Sequence, residues 1–422
     1  MNVHDSEKIR GVLSQIGYKK AETPADADLI IFNTCAIREK AEHKFYSQLG
    51  RIKFLKTAKK DLKIAVAGCV AQVAKNRILK RAPYVDYIFG PQNINSITDL
   101  ILNEKGISVY ENPEIADLES DILRNSRSRA WVSIMYGCNN FCTYCIVPFT
   151  RGREISRPSS SIVAEIAHLY NTGYKEVTLL GQNVNSYSSD TDFPGLLRKI
   201  DQTGINRVRF ITSHPRDMSM DLIDAISELP SLCEHIHLPI QSGSDRVLTL
   251  MNRRYTYAEY LKKIEVVRKK VPGISVTADV IVGFPGETEE DYLLTIRAIK
   301  EIEYDGLFAF KYSRRKGTKA FELENHLTDE TKAERLDYLL GVQEEITYRR
   351  NRLMENTVQE ILIEGPSESD KCMLHGRTRS NKIVTIPDND EKEGELVMAL
   401  IKHARHHSLV GIRTVSDITL SI

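Results

Sequence analysis

From residue 131 to residue 312 one unit recurs: a short apolar segment of strand length, a turn, then a longer segment with helical periodicity. Strand candidates fall at 131–136, 176–181, 207–212, 235–240, 276–283 and 306–312, and helical segments such as 161–171 and 257–270 fill the gaps. Strands joined through helices run parallel, and six such units in series predict a partial barrel with its helices outside. Chemistry in that architecture belongs at the carboxyl ends of the strands. The chain sets unusual residues there: Gly137-Cys138, Gly181-Gln182-Asn183, Ser213-His214-Pro215, Gln241-Ser242-Gly243, Gly283-Phe284-Pro285-Gly286-Glu287 and Tyr312-Ser313. One such end is an ordinary turn. Six in register read as a site.

The first end continues as Gly137-Cys138-Asn139-Asn140-Phe141-Cys142-Thr143-Tyr144-Cys145, a CxxxCxxC array. Thiolates are soft ligands that suit zinc and iron–sulfur clusters. A structural zinc wants a fourth Cys or His, and none occurs in the twenty residues after Cys145. A [4Fe–4S] cube held by three thiolates instead leaves one iron open to a substrate. Around it, Gly283 and Gly286 allow close backbone approach, and Gln182 and Ser242 offer hydrogen bonds. Each of these is also readable as a satisfied loop residue. Ser213-His214-Pro215 has no carboxylate partner placed by sequence, so it does not read as a nucleophile site.

The seven cysteines are too few and too clustered for a secreted disulfide framework, which favours a cytoplasmic metal or redox role. Cys233 and Cys372 stand alone and read as ordinary thiols, and His406-His407 lacks the spacing of a metal pair. There is no apolar run of membrane-spanning length, and charges at Asp5, Glu7, Lys8 and Arg10 argue against a signal peptide. Net charge is +1, so a nucleic acid would have to be met by a local patch.

Before the repeat, residues 5–17 have helical spacing, and apolar strands at 27–33, 63–67 and 85–89 alternate with helices. That pattern predicts a parallel α/β sheet domain over 1–103, with Cys35 and Cys69 just past two strand ends, where such sheets bind ligands. A chain opening on a helix lacks the strand that normally feeds it, so a first strand and its ligand-bearing loop are expected to be missing. Residues 104–123 read as a linker and 124–354 as the barrel domain, closed by a charged helix from 328 to 354. From 357 to 420 short strands at 358–363, 382–386, 395–401 and 409–414 predict a small antiparallel OB-like β-barrel. Its basic residues include Arg377 and Arg379, and acidic ones are at least as numerous, so an RNA contact and a solvated surface both stay open.

With these residues laid out, the chain resembles the methylthiotransferases of the radical S-adenosylmethionine (SAM) superfamily, most closely their MiaB branch, and the resemblance runs essentially end to end. It is carried by Asn33-Thr34-Cys35-Ala36-Ile37-Arg38-Glu39-Lys40-Ala41, by Gly68-Cys69, by the run from Ser133 to Gly152, by His237-Leu238-Pro239-Ile240-Gln241-Ser242-Gly243-Ser244, by Ile281-Val282-Gly283-Phe284-Pro285-Gly286-Glu287 and by Gly376-Arg377-Thr378-Arg379-Ser380-Asn381. The resemblance implies an α/β chain: a parallel sheet domain, a radical SAM partial (β/α)6 TIM-like barrel, and a C-terminal TRAM domain. It implies that Cys138, Cys142 and Cys145 hold a [4Fe–4S] cluster whose open iron chelates SAM, with Tyr144, Gln182, Ser242 and Gly283 lining the cofactor. Cys35 and Cys69 match two of three cysteines that hold a second, auxiliary [4Fe–4S] cluster. The third would lie two residues before Met1, so that cluster is expected to lack one ligand in this chain. The implied reaction is transfer of a methylthio group to carbon 2 of N6-isopentenyladenosine at position 37 of tRNA, beside the anticodon. The implied partners are tRNA, bound in part by Arg377 and Arg379, a flavodoxin- or ferredoxin-like electron donor and a sulfur donor. No membrane is expected, and the chain is expected to act as a monomer. Sister activities on threonylcarbamoyladenosine of tRNA or an aspartate of a ribosomal protein stay open, as does a non-catalytic iron–sulfur RNA-binding protein.

Overall fold

The structure, a computed structural model, describes residues 1–34, 39–112, 122–368 and 370–414. The chain forms two compact units, one of Met1–Asn125, Ser133–Pro158 and Ser313–Thr318, the other of Ser126–Val132, Ser159–Tyr312 and Lys319–Ile422.

The first unit holds a four-stranded parallel sheet in the order β1 (Leu29–Thr34), β2 (Lys63–Gly68), β3 (Tyr87–Phe89), β4 (Gly106–Ser108). Strand β2 shows why the sheet is central. Ile64 and Val66 pack with Phe45, Leu49 and Ile78 on one face, while Ala65 and Ala67 pack with Ile9, Val12 and Phe89 on the other. A strand apolar on both faces has helices over both. The helix Asn2–Gln15 supplies Ile9 and Val12, and it stops where Gly17 turns to φ +90° and donates to Ser14 O. β4 corrects the expected linker over 104–123, since Gly106–Ser108 is an edge strand of this sheet. Three residues held by backbone pairing leave no side-chain pattern to read.

The chain passes between the units at β5 (Arg129–Ser133). A two-stranded antiparallel ladder of β6 (Met135–Tyr136) and β7 (Ile155–Ser156) then closes the cysteine loop within the first unit.

In the second unit, two three-stranded sheets follow the orders β5, β8 (Glu176–Leu180), β9 (Arg207–Phe210) and β10 (His235–His237), β11 (Ser275–Val282), β12 (Gly306–Lys311). A parallel bridge between Val208 and Leu232 joins them into one curved six-stranded wall, and among the described residues no ladder returns from β12 to β5. This is the expected partial barrel. Helices such as Met220–Glu228 and Asp245–Leu250 start on side-chain caps, and Thr256 and Thr288 form full capping boxes with Glu259 and Asp291. Ile236, Val276, Ala278, Val280 and Val282 are buried beneath the helices. Alternation then turns Glu176, Arg207, Arg209, His235, His237, Thr277, Asp279 and Phe308 to the inside, as their mutual contacts attest. A closed barrel of this type fills its interior with Val, Ile and Leu. This one keeps a polar lumen.

The remaining strands, β13 (Val358–Pro366), β14 (Met373–Thr378), β15 (Ile383–Pro387), β16 (Leu396–Ala404) and β17 (Leu409–Arg413), form a closed barrel in the order β13-β14-β15-β17-β16 around Ile361, Ile363, Val384, Ala399 and Ile401. β14 was absent from the strands expected here. Its segment is polar in sequence, and Gly376 marks where it crosses β13 so closely that a Cβ would lie 2.4 Å from Leu362 O. The small barrel stands on the amino ends of the large barrel's strands. Arg207 donates to Arg377 O (2.9 Å) and to Glu360, Arg209 to Thr378 O and Arg379 O (both 2.7 Å), and Lys382 pairs with Asp305 (3.1 Å). Among the described residues no helix is long and apolar enough to cross a membrane.

Candidate active site

The cysteine loop is built around one glycine. Gly137 adopts φ +69°, and a Cβ there would lie 1.9 Å from Arg153 O, so only glycine lets the two ends of the loop meet. Cys138 N–H then donates to Gly152 O (3.3 Å) and Cys145 N–H to Cys142 O (3.0 Å), while Phe141 takes φ +48° beneath the Arg153 guanidinium. Cys138 and Cys142 are buried, and Cys145 and Tyr144 half-buried. Burial pushes the Cys138 thiol up to about 11, opposed by donors from the Asn140 backbone and side chain. Among the described residues no three Cys, His, Asp or Glu side chains converge on one point as a mononuclear metal would require. A cube takes each thiolate on a separate corner, and the donor set of three cysteines in one loop, with Asn140 donating to Cys138, is of the kind that suits such a cluster.

Cys69 follows β2 directly. Gly68 has φ +85° and no room for a Cβ against Asn33 and Thr34, and Cys69 opens the helix Cys69–Ala74, fully buried. Beside its sulfur lies the guanidinium of Arg151, which also pairs with Asp5 (2.5 Å); burial works against the Arg151 charge, but Asp5 and Cys69 hold its pKa above the ordinary value. Gln92 Nε2 donates to Arg151 O (2.6 Å), fastening the end of the cysteine loop to the sheet. Cys35 lies outside the described residues.

At the carboxyl ends of the barrel strands, the second unit gathers buried polar atoms that no described residue satisfies: Asn183 Oδ1, Ser213 Oγ, His214 Nε2 and Gln241 Oε1. Each such atom costs about 1–3 kcal/mol unless something pairs with it. His214 is neutral, its pKa pushed down to about 2 by burial and then by Arg253. Its Nδ1 accepts from the Arg216 N–H (3.2 Å), so the proton sits on Nε2, an open donor. Thr212 (φ +70°) and Gln241 (φ +71°) hold left-handed backbone at these ends, strain that accumulates where function over-determines a loop.

Two sequence-chosen residues have internal work. Ser242 Oγ is occupied by Thr295 Oγ1 (3.2 Å) and the Ser244 N–H (3.2 Å). Gly283, at φ +71°, donates to Glu287 Oε1 (2.9 Å), and a Cβ would lie 2.4 Å from Lys332 Cγ. Both brace strand-end loops. Gln182 is half-buried beside Asn183. On the small barrel, Arg377 pairs with Glu364 (3.0 Å), and Arg379 grips Glu234 (2.9 Å) and the carbonyls of Pro230 (3.0 Å) and Leu232 (2.5 Å), all within the second unit. A phosphate at Arg379 would have to compete with these bonds. Cys233 is buried with its thiol pushed up to about 11 by that burial, as an ordinary core thiol would be, and Cys372 is exposed.

Comparison with known proteins agrees with this geometry. Residues 132–299 match the Radical SAM superfamily, 1–90 the uncharacterized protein family UPF0004, and 352–412 the TRAM domain. A tRNA-2-methylthio-N(6)-dimethylallyladenosine synthase from Thermodesulfovibrio yellowstonii is 51% identical over 415 residues, covering 97% of this chain and 96% of that protein. The chain belongs to this synthase family. Synthases of the same description from Syntrophus aciditrophicus (48% identical, covering 97% of this chain and 92% of that protein) and Clostridium perfringens (46%, covering 97% and 95%) extend the likeness. Among solved structures, a radical S-adenosylmethionine methyltransferase, TsrM, from Kitasatospora setae aligns with TM-score 0.57 at 15% identity, covering 76% of this chain and 73% of that one, which is a likeness of fold. Within the synthase family frame, the strand-end set Asn183, Ser213, His214 and Gln241 is the part that sequence reading placed but did not rank. Only burial without a partner separates these four from ordinary turn residues.

Proposed function

We propose that the chain is a radical SAM methylthiotransferase that adds a methylthio group to carbon 2 of N6-isopentenyladenosine in tRNA. The observation that carries this reading is the near-full-length identity to the synthases, together with an intact CxxxCxxC loop at the end of a barrel strand. Cys138, Cys142 and Cys145 would hold a [4Fe–4S] cluster, which when bound supplies the electron for reductive cleavage of SAM.

The chain's own residues do the rest. Gly137 and the bond from Cys138 N–H to Gly152 O hold the two ends of the cysteine loop together. Asn140 donates to the Cys138 sulfur and eases its deprotonation. Asn183, Ser213, His214 and Gln241 are assigned to the polar groups of SAM or of the base, with Gln182 next to Asn183 in the chain; Tyr144 is assigned to the cofactor from the cysteine loop. Ser242 and Gly283 keep the loops in place.

Cys69, with Cys35, is assigned to the auxiliary [4Fe–4S] cluster associated with the inserted sulfur. Arg151 fits that role for Cys69, since a cation donating to a thiolate stabilises the charged ligand. Arg377 and Arg379 are assigned to tRNA phosphate, each where a phosphate displaces its internal partners. An electron donor and a sulfur donor complete the cycle.

The test is mass spectrometry of tRNA nucleosides from cells with and without the gene, and after incubation of the full chain, reconstituted anaerobically, with isopentenylated tRNA and SAM. Appearance of the 2-methylthio nucleoside only with the protein is expected. Its absence, or methylthiolation of a threonylcarbamoyl nucleoside instead, overturns the assignment.

A further inference from the structure

The basic residues of the small barrel have internal partners, Arg377 in Glu364 and Arg379 in Glu234. The rim of the large barrel differs. Arg216 follows β9 at its carboxyl end, and Arg253 and Arg254 precede the helix Tyr257–Lys270, which starts at that same end and carries Lys263; all lie in the second unit. After burial, it is the charges of these four that keep His214 neutral. Three of them are committed. Arg216 holds Asp217 through two nitrogens (2.7 and 3.1 Å), Lys263 Nζ donates to Pro215 O (2.6 Å) and Arg216 O (3.3 Å), and Arg253 is buried with Nη2 on Pro239 O (2.9 Å). Arg254 is exposed. Its one hydrogen bond runs from Nε to Asn252 Oδ1 (3.4 Å), and among the described residues no carboxylate lies within ion-pair distance of it. The carboxylates closest in the chain, Asp245 and Glu259, accept from the Tyr257 N–H (2.6 Å) and the Thr256 N–H (2.7 Å).

The fold fixes this arginine in place. Asn252 and Arg254 both take left-handed backbone (φ +58° each), a conformation uncommon outside glycine and asparagine. Arg253 between them points inward, and its Nε meets the Tyr255 hydroxyl (3.1 Å). Tyr255 in turn donates to Ile240 O (2.7 Å), one residue before Gln241, and meets the ring of His214 edge-on at 5.7 Å. The loop is thus pinned to the strand-end set through Arg253 and Tyr255, which leaves Arg254 on its outer side. Contacts to phosphate fix the register of a nucleic acid, and an arginine with no carboxylate to displace makes them at the least cost.

We propose that Arg254, with Arg216 on the neighbouring loop adding to the positive field, contacts the RNA backbone phosphates that flank the target base and so sets the register of the RNA loop at the mouth of the barrel. This deepens the tRNA reading given above and rests on it. The carboxylate of SAM is an anion of related chemistry, and the experiment separates the two.

Filter binding of isopentenylated tRNA to the full reconstituted chain, at several salt concentrations, compares wild type with Arg254→Asn and Arg254→Lys. SAM affinity is measured on the same samples by equilibrium dialysis, and wild-type methylthiolation is run in parallel. Asparagine tolerates left-handed backbone while removing the charge, and lysine keeps the charge, so neither variant threatens the fold. Arg254→Asn is expected to lower the log–log salt slope by about 0.7–0.9, the share of one phosphate, and to weaken binding nearly uniformly across tRNA sequences. Arg254→Lys should keep the wild-type slope. A wild-type slope in Arg254→Asn overturns the proposal. So does a loss of SAM affinity with the tRNA slope unchanged, which gives the arginine to the cofactor. Wild-type methylthiolation that persists in either case keeps the enzymatic reading standing, whereas its absence defeats that reading separately.

Discussion

Replacing Arg379 with alanine separates two roles that a basic residue on an RNA-binding domain can play. Its guanidinium puts Nε and a terminal nitrogen on the Glu234 carboxylate and reaches the carbonyls of Leu232 and Pro230. Hydrogen bonds to charged groups contribute about 1.5–3 kcal/mol each. Here the donors are shared, and Glu234 is 35% exposed, so water can replace part of what is lost. A net loss of about 2 kcal/mol is therefore expected for Arg379→Ala. In a folding unit of this size that corresponds to a fall in Tm of roughly 4–8 °C. If the residue acts only in docking the small barrel, the log–log salt slope of tRNA binding stays where it was. Loss of one phosphate contact would instead lower that slope by about 0.9. Differential scanning calorimetry and filter binding at several salt concentrations read the two effects, with Arg377→Ala as the comparison for a phosphate contact. An unchanged Tm with a slope reduced by about one unit would refute the docking argument.

Cys138→Ala, Cys142→Ala and Cys145→Ala should each lose stable iron and 5′-deoxyadenosine formation after anaerobic reconstitution; wild-type product from any one of them removes it from the ligand set. Gly137→Ala forces a Cβ onto Arg153 O at a left-handed φ, and should cut iron incorporation by more than half while leaving the main calorimetric transition of the second unit in place. Asp305 is pushed up by burial, yet Lys382 and Arg350 overcome this and hold its carboxyl below the ordinary value. Its folded pKa lies beneath the unfolded one, so its contribution is complete above about pH 4 and fades as the pH falls through the folded value. Asp305→Asn should cost about 3 kcal/mol at pH 7 and flatten the loss of Tm between pH 5 and pH 3; a slope equal to wild type contradicts this.

The parts legible in sequence are those where side chains report the backbone. β11 and the helix Tyr257–Lys270 fall where periodicity puts them, because one face of each is continuously apolar. β4 and β14 escaped, being set by backbone pairing and a close crossing at Gly376 rather than by a hydrophobic pattern. At the site, the cysteine spacing was readable because ligands must recur at fixed intervals. The split between bracing residues such as Ser242 and open ones such as His214 was not, since both are polar residues at strand ends. The difference lies in which neighbours the fold brings to them.

The polar lumen also sets an order of events during synthesis. Arg207 and Arg209 are completed by carbonyls 170 residues further along the chain, and until Arg377 and Arg379 emerge those two cations line a half-built barrel with Glu176 as their near neighbour. A domain with an apolar interior can consolidate as soon as its last strand appears. This one reaches β12 with its floor still open, and the helix Asp329–Arg352 and most of the small barrel must follow before the buried charges are all met. Translation therefore passes through a stage in which the catalytic barrel is fully made but not yet folded to rest, and a chain stopped before residue 377 is a substrate for chaperones and proteases rather than a smaller enzyme.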